Sequence, residues 1–181
     1  MVAFVDIAYV KSLPSGARER QFPVDERLQE IIEVASEFIE RYLERHIAVA
    51  TITERKWGGG WQRMILEEMP IITLNSVTEI SLTGGTTMID PSSFVLHRDA
   101  GMIEWANLLT KHFRSDRVYL VNYTAGYATI PAPIRHATAL QVHKLLYEGF
   151  AGRIVEPEGL IDIYDEKIAE LLEPYRRKRI A

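Results

Sequence analysis

The side chains able to do chemistry are few and poorly assembled. Five histidines stand at His46, His97, His112, His136 and His143, and no HExxH pair occurs. His136 and His143 lie two helical turns apart, so a helix would carry both imidazoles on about one face, as a metal site would require. Solvated or interface groups are the simpler reading of that spacing. Gly58-Gly59-Gly60 invites a phosphate cradle, but no Lys-Ser or Lys-Thr follows at P-loop spacing and no dinucleotide-binding pattern surrounds it. The triple glycine therefore reads as a flexible hairpin tip. No serine occupies a GxSxG elbow, so a hydrolase triad has no anchor. There is no cysteine, which excludes a disulfide framework, a thiolate zinc site, an iron–sulfur cluster and a cysteine nucleophile. The expectation is no catalytic residue, no cofactor and no metal.

The chain that must position these groups has 181 residues, enough for one domain or a domain with an appended tail. It is 47% hydrophobic and 25% charged, an ordinary globular composition that argues against disorder and low complexity. The formal charge of −4 makes it a poor candidate for wrapping nucleic acid with its whole surface. No run of apolar residues is long enough to span a membrane, and Met1–Asp6 lacks the basic and apolar regions of a signal peptide, so a cytosolic product is expected.

Periodicity predicts a short helix from Asp6 to Leu13 and a second over 25–45. Asp25 is its expected N-cap, and Leu28, Ile31, Ile32, Ala35, Phe38, Ile39 and Tyr42 form one apolar stripe. Glu33, Glu37, Glu40 and Glu44 fall on other faces, a pattern whose simplest reading is solvation. From residue 47 the pattern turns to β-branched and aromatic residues with frequent turn signals. Strands are expected at Val49–Lys56, Trp61–Leu66, Val77–Leu82, Ser93–Leu96, Met102–Trp105 and Arg117–Tyr123. A long helix follows from Ala132 to Phe150, with Pro131 and Pro133 flanking its start and apolar residues on more than one face. Gly149, Gly152 and Pro157 mark a linker. A last helix is expected from Ile161 to Arg179, which Pro174 should kink or end. The fold class is α+β: a bundle of about four helices, an inserted antiparallel β-sheet or small sandwich over 47–123, and a C-terminal helical tail over 151–181.

Two features stand apart from the core. Trp57 and Trp61 flank the triple glycine, placing large aromatic groups beside a loop, either folded back onto the sheet or offered as a contact surface. The tail is strongly polarised: between Arg153 and Glu173 there are seven acids and two bases, and Arg176-Arg177-Lys178-Arg179 then places four cations together. Such a run solubilises an end, docks on an acidic protein surface or touches phosphate, with protein docking ahead of nucleic acid for a patch of four residues.

The stretch Val121-Asn122-Tyr123-Thr124-Ala125-Gly126-Tyr127, closed by Pro131 and a helix leading to Leu145-Leu146-Tyr147-Glu148, has a distinctive shape. Together with the Leu28–Arg45 helix, the Met64–Leu66, Pro70-Ile71 and Val77–Ile80 run, and the Ser93–Leu96 and Gly101–Ile103 segments, it resembles the tailed-phage head–tail connector family, also called adaptor or head-completion proteins. The resemblance covers about residues 5–150. Gly126 supplies the backbone freedom that a strand-to-helix corner needs, with Tyr123, Tyr127 and Pro131 around it.

The resemblance implies a structural virion protein of the neck and no enzyme. It implies a ring, typically dodecameric, that binds the portal protein after DNA packaging. That ring extends the channel for passing double-stranded DNA and offers a surface to the next neck or tail-completion protein. On that basis Tyr175, Arg176, Arg177, Lys178 and Arg179 are expected to dock to the portal. Trp57, Gly58, Gly59, Gly60 and Trp61 are expected to touch a neighbouring subunit or the next neck component. Glu33, Glu37, Glu40 and Glu44 are expected to face the channel, where like charge repels phosphate. The protein would sit in the virion neck, and in the host cytoplasm during assembly, with no membrane partner. The residues by themselves leave two other readings: a non-catalytic bacterial or prophage binding module, and an enzyme built on carboxylates with His136 and His143.

Overall fold

The computed structural model describes residues 3–13, 22–108, 110–147 and 160–176. Among these the elements run α1 (Ile7–Ser12), α2 (Asp25–Leu43), β1 (Ala50–Trp57), β2 (Arg63–Ile65), β3 (Ile71–Ser81), β4 (Thr86–Ile89), β5 (Phe94–His97), β6 (Met102–Trp105), β7 (Arg117–Ala125), α3 (Ala132–Leu145) and α4 (Leu160–Leu172). The mixed α+β class expected from the sequence is what the structure has. Residues 1–45 and 129–181 form one compact unit and residues 46–128 another.

In the helical unit Asp6 caps α1, its carboxylate accepting the Tyr9 N–H. Asp25 does not cap α2. Val24 holds that place without a side-chain bond, and Asp25 lies inside the first turn, where the dipole favours an anion and Lys11 Nζ reaches it at 2.7 Å. The apolar stripe of α2 buries Leu28, Ile31, Ile32, Ala35 and Ile39. Phe38 departs from it, 43% exposed at the border of the stripe, and Tyr42 is only half-buried. The core face instead takes Ser36, whose hydroxyl donates to the Ile32 carbonyl at 2.8 Å and accepts the Phe4 N–H at 3.2 Å. Helix α2 ends at Leu43 because Glu44 turns left-handed, with φ 54°.

Helix α3 buries Ile134, Ala137, Thr138, Ala139, Gln141, Val142 and His143, so it is enclosed on several sides. Helix α4 packs along it. Tyr164 faces Tyr147 with ring centroids 5.9 Å apart, and Lys144 Nζ meets Asp165 at 2.7 Å. Pro174 ends rather than kinks α4, since the chain tightens into a 3-10 turn over Glu173–Tyr175. The expected extension of α3 to Phe150, the linker glycines and the last residues of the tail lie outside the described residues.

In the β unit every strand pair is antiparallel. A four-stranded sheet is ordered β1-β7-β3-β4, and a three-stranded sheet β2-β6-β5. Their inner faces share one core of Met64, Phe94, Ile103 and Trp105 from the small sheet and Val77, Tyr119, Val121 and Tyr123 from the large one. Phe113 seals it, stacked on Phe94 at 5.7 Å and edge-on to Tyr119 at 5.1 Å. Each such ring fully buried contributes about 1.5–3 kcal/mol.

Strand β3 is longer than the Val77–Leu82 expected from periodicity. Register shifts between Ile71/Thr73 and Leu74/Ser76 break the two-residue alternation that would have revealed its first half. Strand β4 went unseen because Thr86–Ile89 is a short, mostly exposed edge with little alternation. The strand expected over Trp61–Leu66 shrinks to Arg63–Ile65.

Candidate interaction surfaces

The triple glycine is not a flexible hairpin tip. Strands β1 and β2 belong to different sheets, so Gly58-Gly59-Gly60 is a crossover between them. Its backbone is pinned: Gly58 N–H donates to the Arg117 carbonyl at 3.0 Å, Gly60 N–H to Phe113 at 2.7 Å, and Phe113 N–H to Trp61 at 2.8 Å. A Cβ on Gly58 would lie 2.0 Å from the Arg114 carbonyl oxygen, so only glycine permits this approach. The two flanking indoles do not fold back. Trp57 is 64% exposed and Trp61 74%. Large aromatic side chains held out on a fixed backbone lose little freedom on docking and suit the centre of a protein contact.

The carboxylates of α2 are less solvated than expected. At 100° per residue Glu33, Glu37 and Glu40 share one face, but each is half-buried. Glu37 is paired with Arg41, and Glu33 accepts from Gln29 at 3.4 Å. Glu44 is exposed at the left-handed cap just beyond the helix. Near the same end of α2, Tyr175 is half-buried and Arg176 lies over the Tyr42 ring at 5.7 Å. Arg177, Lys178 and Arg179 lie outside the described residues.

Around the corner expected at Tyr123–Pro131, Gly126 has φ +110°, and a Cβ there would lie 2.4 Å from the Ala48 carbonyl oxygen. Tyr127 N–H closes the turn on the Ile47 carbonyl at 2.8 Å. Tyr123 is wholly buried. Its hydroxyl donates to Glu54 and accepts the Glu68 N–H at 3.1 Å. Burial first, and then the bond to the Glu54 carboxylate, push the Tyr123 hydroxyl well above the usual phenol range. Tyr119 follows the same logic with Glu79 and is pushed up to about 12. Pro131 caps α3 in the helical unit.

His136 and His143 do not form a metal site. His143 is buried in the helical core, its Nε2 3.2 Å from the Val10 carbonyl and its ring edge-on to Phe22 at 5.9 Å. A ring nitrogen facing a carbonyl must carry the proton, so Nε2 is closed to a metal. Among the described residues no cluster of three or more metal-ligating side chains exists, and no helix is long and apolar enough to cross a membrane.

Sequence reading missed two constellations. Glu104, in the central strand of the small sheet, is 7% exposed and accepts from Arg63 Nε at 2.6 Å, with His97 Nε2 at 2.7 Å. The bonds from Arg63 and His97 hold its carboxyl below the usual glutamate range. One residue from each of three strands meets there, which only the strand order brings together. The second is a ladder of neutral polar side chains on the outer face of the large sheet. Asn122 Nδ2 donates to Thr53 at 2.7 Å, Asn75 Nδ2 to Asn122 at 2.9 Å and to Thr124 at 3.3 Å. The alternation of Thr51 and Thr53 with Ile52 and Glu54 was its sequence signal, but the pairing of partners 47 and 69 residues apart was not.

The family model for "Head completion protein" matches residues 15–177. The chain belongs to the head completion protein family. Membership makes it a structural virion protein and not an enzyme. Solved structures are similar in fold. A chain of the neck of an empty GTA particle, computed with C6 symmetry, shares 18% identity at a TM-score of 0.65, over 98% of this chain and 92% of that chain. A chain of the virion of the native gene transfer agent particle gives the same values. A chain of the neck of the native GTA particle, computed with C12 symmetry, gives a TM-score of 0.59 at 18% identity, over 87% of this chain and 86% of that one. Among curated protein sequences none matches.

Proposed function

We propose that this head completion protein is a ring-forming connector of the particle neck. It binds the portal protein after DNA packaging, extends the DNA channel, and offers the surface on which the next neck or tail-completion protein settles. The observation that carries the reading is the family match over residues 15–177, joined to a fold likeness spanning 98% of the chain. The six-fold and twelve-fold symmetries of the similar necks support a ring and favour twelve copies.

In this reading Tyr175, Arg176, Arg177, Lys178 and Arg179 dock to the portal. Glu33, Glu37, Glu40 and Glu44 face the channel, where like charge keeps phosphate moving without sequence preference. The Trp57–Trp61 crossover meets a neighbouring subunit or the next neck component. The exposure of both indoles supports that role.

The test is electron microscopy of a lysate in which this gene alone is disrupted. Full-sized heads beside unattached tails, with DNA lost, are expected. Normal infectious particles would overturn the reading.

A further inference from the structure

Beside Trp61 the crossover forms one wall of a cleft of about 530 Å³. Trp61 and Leu108 (44% exposed) give it apolar surface, Lys111 gives it positive charge, and His112 adds an imidazole beside that lysine. Among the described residues that line it there is no carboxylate. The walls are tied together: Gly60 to Phe113, Phe113 to Trp61, Gln62 Nε2 to the Leu108 carbonyl, and Lys111 N–H to the Asn107 carbonyl at 3.2 Å. Lys111 Nζ lies 5.8 Å from the Trp105 ring centroid. On their other side Lys111 and His112 border a second cleft that holds Glu79 and Asp90. Those carboxylates are engaged, Glu79 by the Tyr119 hydroxyl at 3.0 Å and Asp90 by the Ser92 N–H at 2.8 Å. With Trp61, Leu108 and Lys111 in its lining and no carboxylate, the Trp61 cleft suits an apolar group rimmed by negative charge.

The same chain carries such a surface. Helix α4 turns Ile168 and Leu172 inward and leaves Ile163 61% exposed. Spacing of three and seven residues puts Glu166 and Glu170 on the face of Ile163, with Asp162 beside it. Lys167 is the one cation on that edge, and it is paired with Glu170 at 2.7 Å. This is the acidic half of the polarised tail, for which portal docking by the basic residues gives no role.

We propose that the acidic outer face of α4 in one copy docks in the Trp61 cleft of the next copy. Ile163 meets Trp61 and Leu108, while Asp162 and Glu166 meet Lys111 and His112. Charge complementarity selects the occupant, and each copy holds both halves. The contact is heterologous, the kind that propagates from subunit to subunit and closes into a ring. The inference rests on the ring reading above and names the surfaces that build it.

The absence of cysteine makes the test clean. Thr110→Cys, at the cleft, and Lys167→Cys, on α4, both replace exposed residues and keep Asp162 and Glu166. Particles carrying the double variant are treated with a short bismaleimide and the chain is followed by blotting. A ladder of multimers from the double variant, and none from either single variant, is the expected result. Lys111→Glu added to the double variant should cut the ladder by about tenfold, and replacing Asp162 with Lys should restore part of it. If the chain is in the particles but gives no ladder, the inference falls and the neck reading stands. Dimers from Thr110→Cys alone would mean cleft against cleft, and products with another protein would mean a different occupant; either overturns the proposal. If the chain is missing from particles, the neck reading fails and takes the inference with it.

Discussion

Tyr123 and Glu54 meet inside the β unit, the Tyr123 hydroxyl donating to Glu54 Oε1 while it accepts the Glu68 N–H at 3.1 Å. Glu54 Oε1 also accepts the Glu67 N–H at 2.9 Å, and Lys56 Nζ lies 3.2 Å from Oε2. One tyrosine hydroxyl thus ties β7 to β1 and to the turn that follows β2. Tyr123→Phe keeps the ring in the core but leaves Glu54 and Glu68 N–H each short of a partner. A loss of about 1–3 kcal/mol is expected by denaturant unfolding. A loss under a few tenths of a kcal/mol would mean that the bond carries no stability.

Gly126 and Gly60 separate two kinds of glycine requirement. Both have positive φ, +110° and +76°, but a Cβ on Gly126 would lie 2.4 Å from the Ala48 carbonyl while nothing lies within 4 Å of one on Gly60. Gly60→Ala should cost about 1 kcal/mol, from backbone strain alone. Gly126→Ala should cost several times as much or prevent folding, because backbone must move as well. Equal melting temperatures for the two variants would contradict this.

Glu104 sets an acid limb. Its carboxyl is held below the ordinary value of 4.5, first by Arg63 and then by His97. A lowered folded-state pKa gives stability that is fully present above the unfolded value and lost as pH falls through the folded one. Glu104→Gln should therefore flatten the fall in stability below about pH 4.5 relative to the parent chain. Urea unfolding at a series of pH values measures it, and parallel curves would exclude the role.

Trp57 and Trp61 should matter for assembly and not for folding. With 64% and 74% of their surfaces in solvent, Trp57→Ala and Trp61→Ala should each change stability by less than about 0.5 kcal/mol. Complementation of a disrupted gene should nevertheless yield far fewer infectious particles. A large drop in melting temperature would place the indoles in the fold instead.

His143 tests the metal reading directly. With Nε2 facing the Val10 carbonyl, chelators should leave the melting curve unchanged. His143→Ala should destabilise by about 2–4 kcal/mol through a lost buried ring and the lost bond to the Val10 carbonyl. A chelator-sensitive transition would reopen a metal site.

Local pattern was enough for the elements that depend on neighbours in sequence. The spacing from Leu28 to Ile39 fixes α2, Asp6 and Pro174 mark the start of α1 and the end of α4, and the missing cysteines exclude whole classes of chemistry. These follow from backbone sterics and the helical repeat, which act over a few residues. The Tyr–Thr–Ala–Gly–Tyr corner and its flanks also carried enough to resemble the family that the chain belongs to. The contact surfaces were another matter. Whether Gly58–Gly60 is loose or pinned depends on residues 113–117, more than fifty positions away. Bulges hid the first half of β3, and Phe38 left the stripe that its spacing suggested. His143 looks like a ligand until Val10, 133 residues earlier, closes its nitrogen. Strand order and burial are sums over the whole chain, so no window of sequence contains them.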